Sequence, residues 1–434
     1  MSCDVIVVGA GSAGCVLAAR LSEDPDRSVL LLEAGPDYPD LDSLPLEIAS
    51  SHAATYTHDW GYASETGLLG QPIPLRRAKL VGGCSATNAA IALRGTPQDY
   101  DEWSLLGNPG WSFAEILPFF RRLESDADFD NDWHGREGPL PIRRYPVNDL
   151  TPVQSALLET CAAVGYPRVD DHNAPGAMGA GPAPMNRVDG IRQSAALTYL
   201  ARARHRPNLT IRSGVLVDRV LLEGRRAVGV RLADPSNEVL YAGRIILAAG
   251  TYGSPAILMR SGVGPAEHLT ALGIPVRVDL PGVGQNLTDH PLFGLHFASS
   301  PGALAEASPI FQTVITLKSS LATDGYDLHI LPCSAYPVEP EQSPTGAVYL
   351  LLVSVTKPLS RGWLRLRSPD PAEAPVIDPG YLTHPDDMPR MIEVVRVARQ
   401  LSQTPPLSDW TIQELSPGPQ VSDTADLEAV VLAR

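Results

Sequence analysis

The stretch from Asp4 to Gly35 constrains this chain more than any other. Val5-Ile6-Val7-Val8 is a short β-branched run and reads as a buried strand. Gly9-Ala10-Gly11-Ser12-Ala13-Gly14 follows at once, then helix formers from Cys15 to Leu21 with Val16, Leu17 and Leu21 available for one face. Ser28 to Leu32 is a second apolar strand, and it ends in Glu33. Strand, glycine turn, helix, strand and acid in that order make a dinucleotide-binding βαβ unit. Gly9 allows the tight turn, Gly11 lets a pyrophosphate approach the backbone, and Gly14 lets the helix pack close to the sheet. The helix N-terminus offers free N–H groups and a partial positive charge. A carboxylate at Glu33 accepts hydrogen bonds from a ribose diol and repels a 2′-phosphate, so the ligand is FAD-like or NAD-like rather than NADP-like. A glycine-rich turn alone would not place strand, helix and acid so consistently. A signal peptide is excluded because no Lys or Arg precedes the run, Asp4 opens it and glycines interrupt it.

The chain has 434 residues, enough for two large domains, with a formal net charge of −15. That charge argues against nucleic acid or an anionic membrane surface as a partner, and no apolar run is long enough for a transmembrane segment. The cysteines (Cys3, Cys15, Cys84, Cys161, Cys333) are odd in number and scattered, and no CxxC or Cys/His pair has metal-site spacing. They read as reduced thiols of a cytoplasmic protein. Pro and Gly are spread along the chain and imply ordered loops rather than a disordered tail.

Pro36 to Gly70 reads as a long excursion, with His52 and His58 as surface polar residues. Arg76 to Asn88 contains Gly82-Gly83-Cys84-Ser85, a pair of glycines that lets backbone approach a flat or phosphate-bearing ligand. Asn88 then reads as opening an apolar helical run, Ala89 to Leu93.

Taken together, Gly9 to Gly14, Leu31 to Gly35, Gly82 to Ser85 with Asn88, Arg94-Gly95, Asp99-Tyr100, Trp103 and Gly110-Trp111-Ser112 resemble the glucose–methanol–choline (GMC) oxidoreductase family. The likeness continues through Gly250 to Pro255, Ser261 to Gly264, Leu280 to Leu287 and Asp289-His290. It implies an α/β fold, α+β overall: a Rossmann-like FAD-binding domain (1–40, 76–110, 186–290) interleaved with an antiparallel-sheet substrate domain (111–185, 291–434). It also implies FAD held by Gly9, Gly11, Ser12, Ala13, Gly14, Glu33, Ala34, Val81, Gly83, Asn88, Val217 and Gly250. Some members attach the flavin through a His where this chain has Thr87, and Thr cannot form that bond, so the flavin is expected to be non-covalent. Asp128 to Arg144 is similar to the mycofactocin-associated branch; a choline dehydrogenase-like branch is the other assignment.

The remaining segments follow local pattern. Trp111 to Leu123 and Pro152 to Val164 read as helices, and Asp170 to Gly181 as a glycine-rich loop. Asn208 to Leu232 reads as a meander of strands, and Arg244 to Ala249 as a buried strand ending at a ligand site. Leu292 to Val355 reads as an antiparallel sheet and Met391 to Leu401 as a helix. His134 and His290 are expected to serve structure rather than catalysis.

The resemblance implies one departure. Family members carry a His-containing segment followed by Gly-Thr, and later a second His or Asn; the first His takes the alcohol proton and the second group hydrogen-bonds the same oxygen. Leu401 to Arg434 contains no His. The expectation is therefore a C-terminally truncated member, with Ala425 to Arg434 an interrupted helix lacking a cap, and activity impaired for want of a general base. The function implied is FAD-dependent oxidation of a small alcohol, hydride going to flavin and electrons onward to oxygen or another acceptor. The alternatives are an inactive FAD-binding or interaction protein, and an NAD-dependent dehydrogenase, which would leave the Gly82 to Asn88 loop without a use. No residue is named for proton abstraction.

Overall fold

Val5 to Val8 form the centre of a strand because every side chain is apolar and the flanking strands cover both of its edges. All four are at most 5% exposed. The computed structural model describes residues 2–305 and 309–433. The strands of its two large sheets, in chain order, are β1 Ser2–Val8, β2 Val29–Leu32, β3 Gly179–Pro182, β4 Leu209–Arg212, β5 Val217–Glu223 and β6 Arg226–Leu232. They continue as β7 Val239–Leu247, β8 Leu292–Ser299, β9 Thr313–Leu317, β10 Leu328–Pro337, β11 Ala347–Val355 and β12 Thr411–Ser416. The main helices are α1 Ser12–Leu21, α2 Pro97–Leu105, α3 Phe113–Leu123, α4 Pro152–Ala163, α5 Gly250–Arg260, α6 Asp387–Ser402 and α7 Thr424–Leu432.

Two six-stranded sheets organise the chain. The first runs β4-β2-β1-β7-β6-β5. Its β4, β2, β1 and β7 are parallel, with Val5 opposite both Val29 and Arg244. Buried residues of α1 and of 195–203 cover one face of this sheet; Val217, Val230 and Ile257 pack on the other. The second sheet runs β12-β8-β11-β10-β9-β3 and is antiparallel throughout. One of its faces buries Phe293, Leu295, Ile315, Ile330 and Leu351 under α4 and α6. The expected Rossmann-like sheet and the expected antiparallel sheet are thus both present. Among the described residues no helix is long and apolar enough to cross a membrane.

Several local expectations need correction. Ala89 to Leu93 is not helical. The Asn88 Oδ1 accepts from the Ala90 N–H at 3.0 Å, Ala90 adopts φ +57°, the Ala92 N–H donates to the Pro184 carbonyl and the Ala90 carbonyl accepts from the Asn186 N–H. An Asx turn has replaced the expected helix cap. Leu209–Arg212 is not part of a meander: it crosses to the far edge of the first sheet and pairs parallel with β2. The Asn208 amide draws it there by donating to the Ser22, Asp24 and Arg27 carbonyls. The end of the glycine-rich loop is edge strand β3, since Gly179 and Gly181 leave the Pro167 and Val169 backbones room to pass over it. Finally, α7 has a cap: Asp423 accepts from the Asp426 N–H. Arg434 lies outside the described residues.

Candidate active site

The chain leaves β1 at Val8 and turns at Gly9, where φ is +96°. A Cβ there would stand 2.6 Å from the Ala248 carbonyl oxygen, so a side chain is excluded. Gly11 caps α1 without a side chain over the helix end. The first-turn amides of α1, at Ser12 and Ala13, have no intrahelical acceptor, and they carry the positive end of the helix dipole.

Opposite them stands a second turn, Gly83–Ala86. The Gly82 N–H donates to the Ala10 carbonyl at 2.7 Å, which brings the two backbones together. A Cβ on Gly83 would lie 2.6 Å from the Gly11 Cα. Buried Arg192 fastens this turn from behind by donating to the carbonyls of Ala86, Ser50 and Ala53.

Glu33 closes the far end. Its Oε2 accepts from the Ala10 N–H and its Oε1 from the Gly35 N–H, each at 2.9 Å. Burial pushes its pKa up, and the amides of Gly35, Ala10 and Ala34 pull against that rise. The expected ribose acceptor is thus oriented by backbone, and each carboxylate oxygen keeps a further lone pair for a ligand hydroxyl.

These walls line a cavity of about 670 Å³, within the roughly 300–1,000 Å³ of small-molecule sites. Gly9, Gly11, Ser12, Ala13, Glu33, Ala34, Gly83, Val217 and Gly250 all reach it. Gly14, Val81 and Asn88 are not among its lining residues. Gly14 seats the helix against the turn, where a Cβ would strike the Gly9 oxygen at 1.8 Å. Val81 is packed in the core under the first sheet, and Asn88 spends its side-chain oxygen on Ala90. The donor set suits a diphosphate with a nucleoside attached: two apposed glycine turns, helix amides at one and a carboxylate at the end.

The sequence reading missed the aromatic wall. Trp60 and Tyr62 stack at 5.8 Å, and Tyr62 meets Tyr252 edge-on at 5.5 Å. Arg77 lies over the Tyr252 ring at 4.9 Å and donates to its hydroxyl and to Asp289. All four of Trp60, Tyr62, Arg77 and Tyr252 line the cavity, as does Glu373. The isolated bridges Asp59↔Ala78 and Ala63↔Pro74 hold the aromatic pair in place. The alternation of Trp60 and Tyr62 was the available signal. His58 is half-buried rather than superficial, bonded to the Tyr38 hydroxyl at 2.8 Å. Exposed His290 donates its N–H to Asp289.

Outside this cavity, His134 sits at the centre of an ion network. Its Nδ1 lies 2.7 Å from Glu124 and 3.1 Å from Asp126, and its Nε2 lies 2.8 Å from Asp171. Arg94 pairs with Glu124, and Arg144 bridges Asp126 and Asp171. The three carboxylates are therefore already faced by three cations, and this cluster does not reach the cavity.

The comparisons agree with this architecture. The GMC oxidoreductase family models match residues 3–292 and 358–434. The chain is 36% identical over 415 residues to an uncharacterized GMC-type oxidoreductase of Rhodococcus erythropolis, covering 92% of this chain and 80% of that one. It is 35% identical over 447 residues to choline oxidase of Arthrobacter globiformis, covering 98% and 81%. Pyridoxine 4-oxidase from Mesorbium loti superposes with a TM-score of 0.90 at 32% identity, covering 99% of this chain and 86% of that one. On these matches, and on a cavity built from paired glycine turns, the chain belongs to the GMC oxidoreductase family of FAD-dependent enzymes acting on CH–OH donors.

Proposed function

We propose that the chain holds FAD non-covalently in the large cavity and oxidises a small alcohol to its carbonyl. One observation carries the reading: Gly11 and Gly83 meet at backbone distance on the cavity wall, with the first-turn residues of α1 and Glu33 lining the same cavity. Gly9, Gly11, Ser12 and Ala13 take the diphosphate, Glu33 and Ala34 the ribose, and Val217 and Gly250 the adenine side. Gly83 borders the flavin side. The bound flavin supplies a two-electron hydride acceptor. The chain's own groups hold it, supply positive charge from Arg77, and exclude water with Trp60, Tyr62 and Tyr252. Burial raises the Tyr62 phenol to about 12, so it stays protonated. The names of relatives, choline oxidase and pyridoxine 4-oxidase among them, support a small alcohol as substrate class. The free cysteines support a cytoplasmic location.

The test is spectroscopic. Purified protein titrated with FAD takes up the flavin and turns yellow, and an alcohol substrate bleaches it anaerobically. Failure to take up FAD sinks the reading. A second reading, an FAD-binding protein without turnover, is favoured by one fact: among the described residues no histidine lines the cavity. It is upheld by yellow protein that no alcohol bleaches.

A further inference from the structure

Arg260 is the last residue of α5 and lines the large cavity, yet it is only 6% exposed. Its Nε is engaged: it donates to the Asp218 carbonyl at 2.8 Å and stands 3.2 Å from the Asp218 carboxylate. Among the described residues its Nη1 and Nη2 have no hydrogen-bond partner, and both keep accessible surface. The Asp218 carboxylate is shared with Arg219, whose Nε lies 2.5 Å away, so one anion here faces two cations. Burial lowers the Arg260 pKa and Asp218 opposes that fall, but a guanidinium keeps its proton inside a protein. A desolvated cation with two open donor groups costs stability until an acceptor meets it.

The place of Arg260 along the cavity decides which part of a dinucleotide it meets. The α1 amides take the diphosphate and Glu33 the ribose in the reading above. Next to Glu33 runs the lead-in to β5: the Val215 N–H donates to the Glu33 carbonyl at 2.8 Å, and Val215, Leu216 and Val217 line the cavity. Asp218, which holds Arg260, is the next residue. Arg260 therefore belongs to the base end of the cavity rather than to its phosphate end. Ile257, one turn earlier in α5, packs with Val217 and adds apolar surface there. Tyr62 lines the same cavity, and its phenol feels the Arg260 charge. Apolar walls suit the faces of a purine, and a guanidinium at its edge offers donors and no acceptor. Adenine presents its ring nitrogens as acceptors to such a group.

We propose that Arg260 reads the adenine base of the cofactor, donating from Nη to a ring nitrogen while Val217 and Ile257 cover the ring. It is then a specificity-determining residue: it makes the cavity select an adenine dinucleotide over a flavin mononucleotide. The inference rests on the FAD-binding reading above and deepens it, because it assigns recognition of the base to a side chain.

The experiment is calorimetric titration of the cofactor-free full chain with ADP and with FMN, and FAD uptake measured on the same samples. FMN carries the flavin and a phosphate but no base. Arg260→Met keeps a long apolar stem and removes the donors. Its affinity for ADP should fall about tenfold, while its affinity for FMN stays that of the native protein. Unchanged ADP affinity in the variant overturns the proposal. So does an equal loss for FMN, which would mark a phosphate contact or a disturbed fold. Should Arg260→Met fail to fold, the native protein decides with the 1-deaza, 3-deaza and 7-deaza forms of ADP, each lacking one ring acceptor. One of them should bind about tenfold more weakly than ADP; equal affinities throughout overturn the proposal. Native protein that takes up FAD but shows none of these differences defeats this inference alone. Native protein that takes up no FAD defeats the functional reading, and this inference with it.

Discussion

Replacing His134 by glutamine separates an electrostatic keystone from a bystander. In the native protein the imidazole is wholly buried among Glu124, Asp126 and Asp171, with Arg94 and Arg144 supplying the other positive charges. Phe129 stacks on the ring at 5.6 Å. Burial alone would lower the His134 pKa, but the hydrogen bonds to Asp126, Asp171 and Glu124 outweigh it and raise the value to about 10. The ring is therefore an imidazolium at neutral pH, the third cation for three carboxylates. Glutamine leaves two cations for three buried anions, and breaking a buried pair in this way costs about 3–5 kcal/mol.

The pH dependence gives an independent value. An unfolded histidine titrates near ~6.5. A folded value raised to about 10 means the imidazolium's contribution is complete below the unfolded pKa and is lost as pH climbs through the folded one. Over that window one proton contributes about 1.4 kcal/mol per pH unit, on the order of 4–5 kcal/mol in all, consistent with the pair-breaking figure. Urea unfolding of native protein and His134→Gln at several pH values from 6 to 10 reads this directly. The deficit of the variant should be largest at pH 6 and shrink steadily toward pH 10, while its FAD uptake persists under native conditions. Other titrating groups cancel in the difference. A deficit that stays constant with pH, or none at all, would refute the assignment of a buried charge to His134.

Other perturbations act on the large cavity. Gly83→Ala puts a methyl 2.6 Å from the Gly11 Cα at a φ of +52°, so FAD affinity measured by flavin fluorescence should fall at least about tenfold, more than stability does. Glu33→Gln points an NH₂ at one of the two backbone donors, Ala10 or Gly35. It should lose about 1–3 kcal/mol in thermal stability and weaken FAD binding in the same titration. Cys84 is exposed on the cavity wall, whereas Cys15, Cys161 and Cys333 are buried and their thiols are each pushed up to about 12. A thiol reagent should therefore modify Cys84 first, and saturating FAD should slow that reaction.

What the sequence revealed and what it hid divide along the range of the interactions. The opening unit was legible because its determinants are local: Gly9 must turn, Gly14 must let α1 touch that turn, and four apolar residues in succession fit only a strand covered on both faces. The same holds for α3, whose Ser112–Glu115 capping box is written in four residues. Failure came where distant partners outbid local preference. Ala89 to Leu93 has helix-forming residues, but Pro184 to Asn186 offers strand-like backbone partners, and Asn88 turns the chain toward them. Leu209–Arg212 resembles its successors in composition, yet the carbonyls that hold Asn208 lie more than 180 residues earlier in sequence. The aromatic wall obeys the same logic: Trp60 and Tyr62 face the ligand cavity only because an excursion with no period of its own is pinned to 74–78 and to the buried Arg192. His172, buried with no hydrogen bond completed at either ring nitrogen, is the sharpest case. Its neighbours on both sides are engaged in anchoring contacts that only the folded chain assembles, and its lack of a partner is visible only once every other polar group has been placed. A site built from glycine and helix ends can therefore be read along a chain, whereas an unmet hydrogen bond becomes visible only in three dimensions.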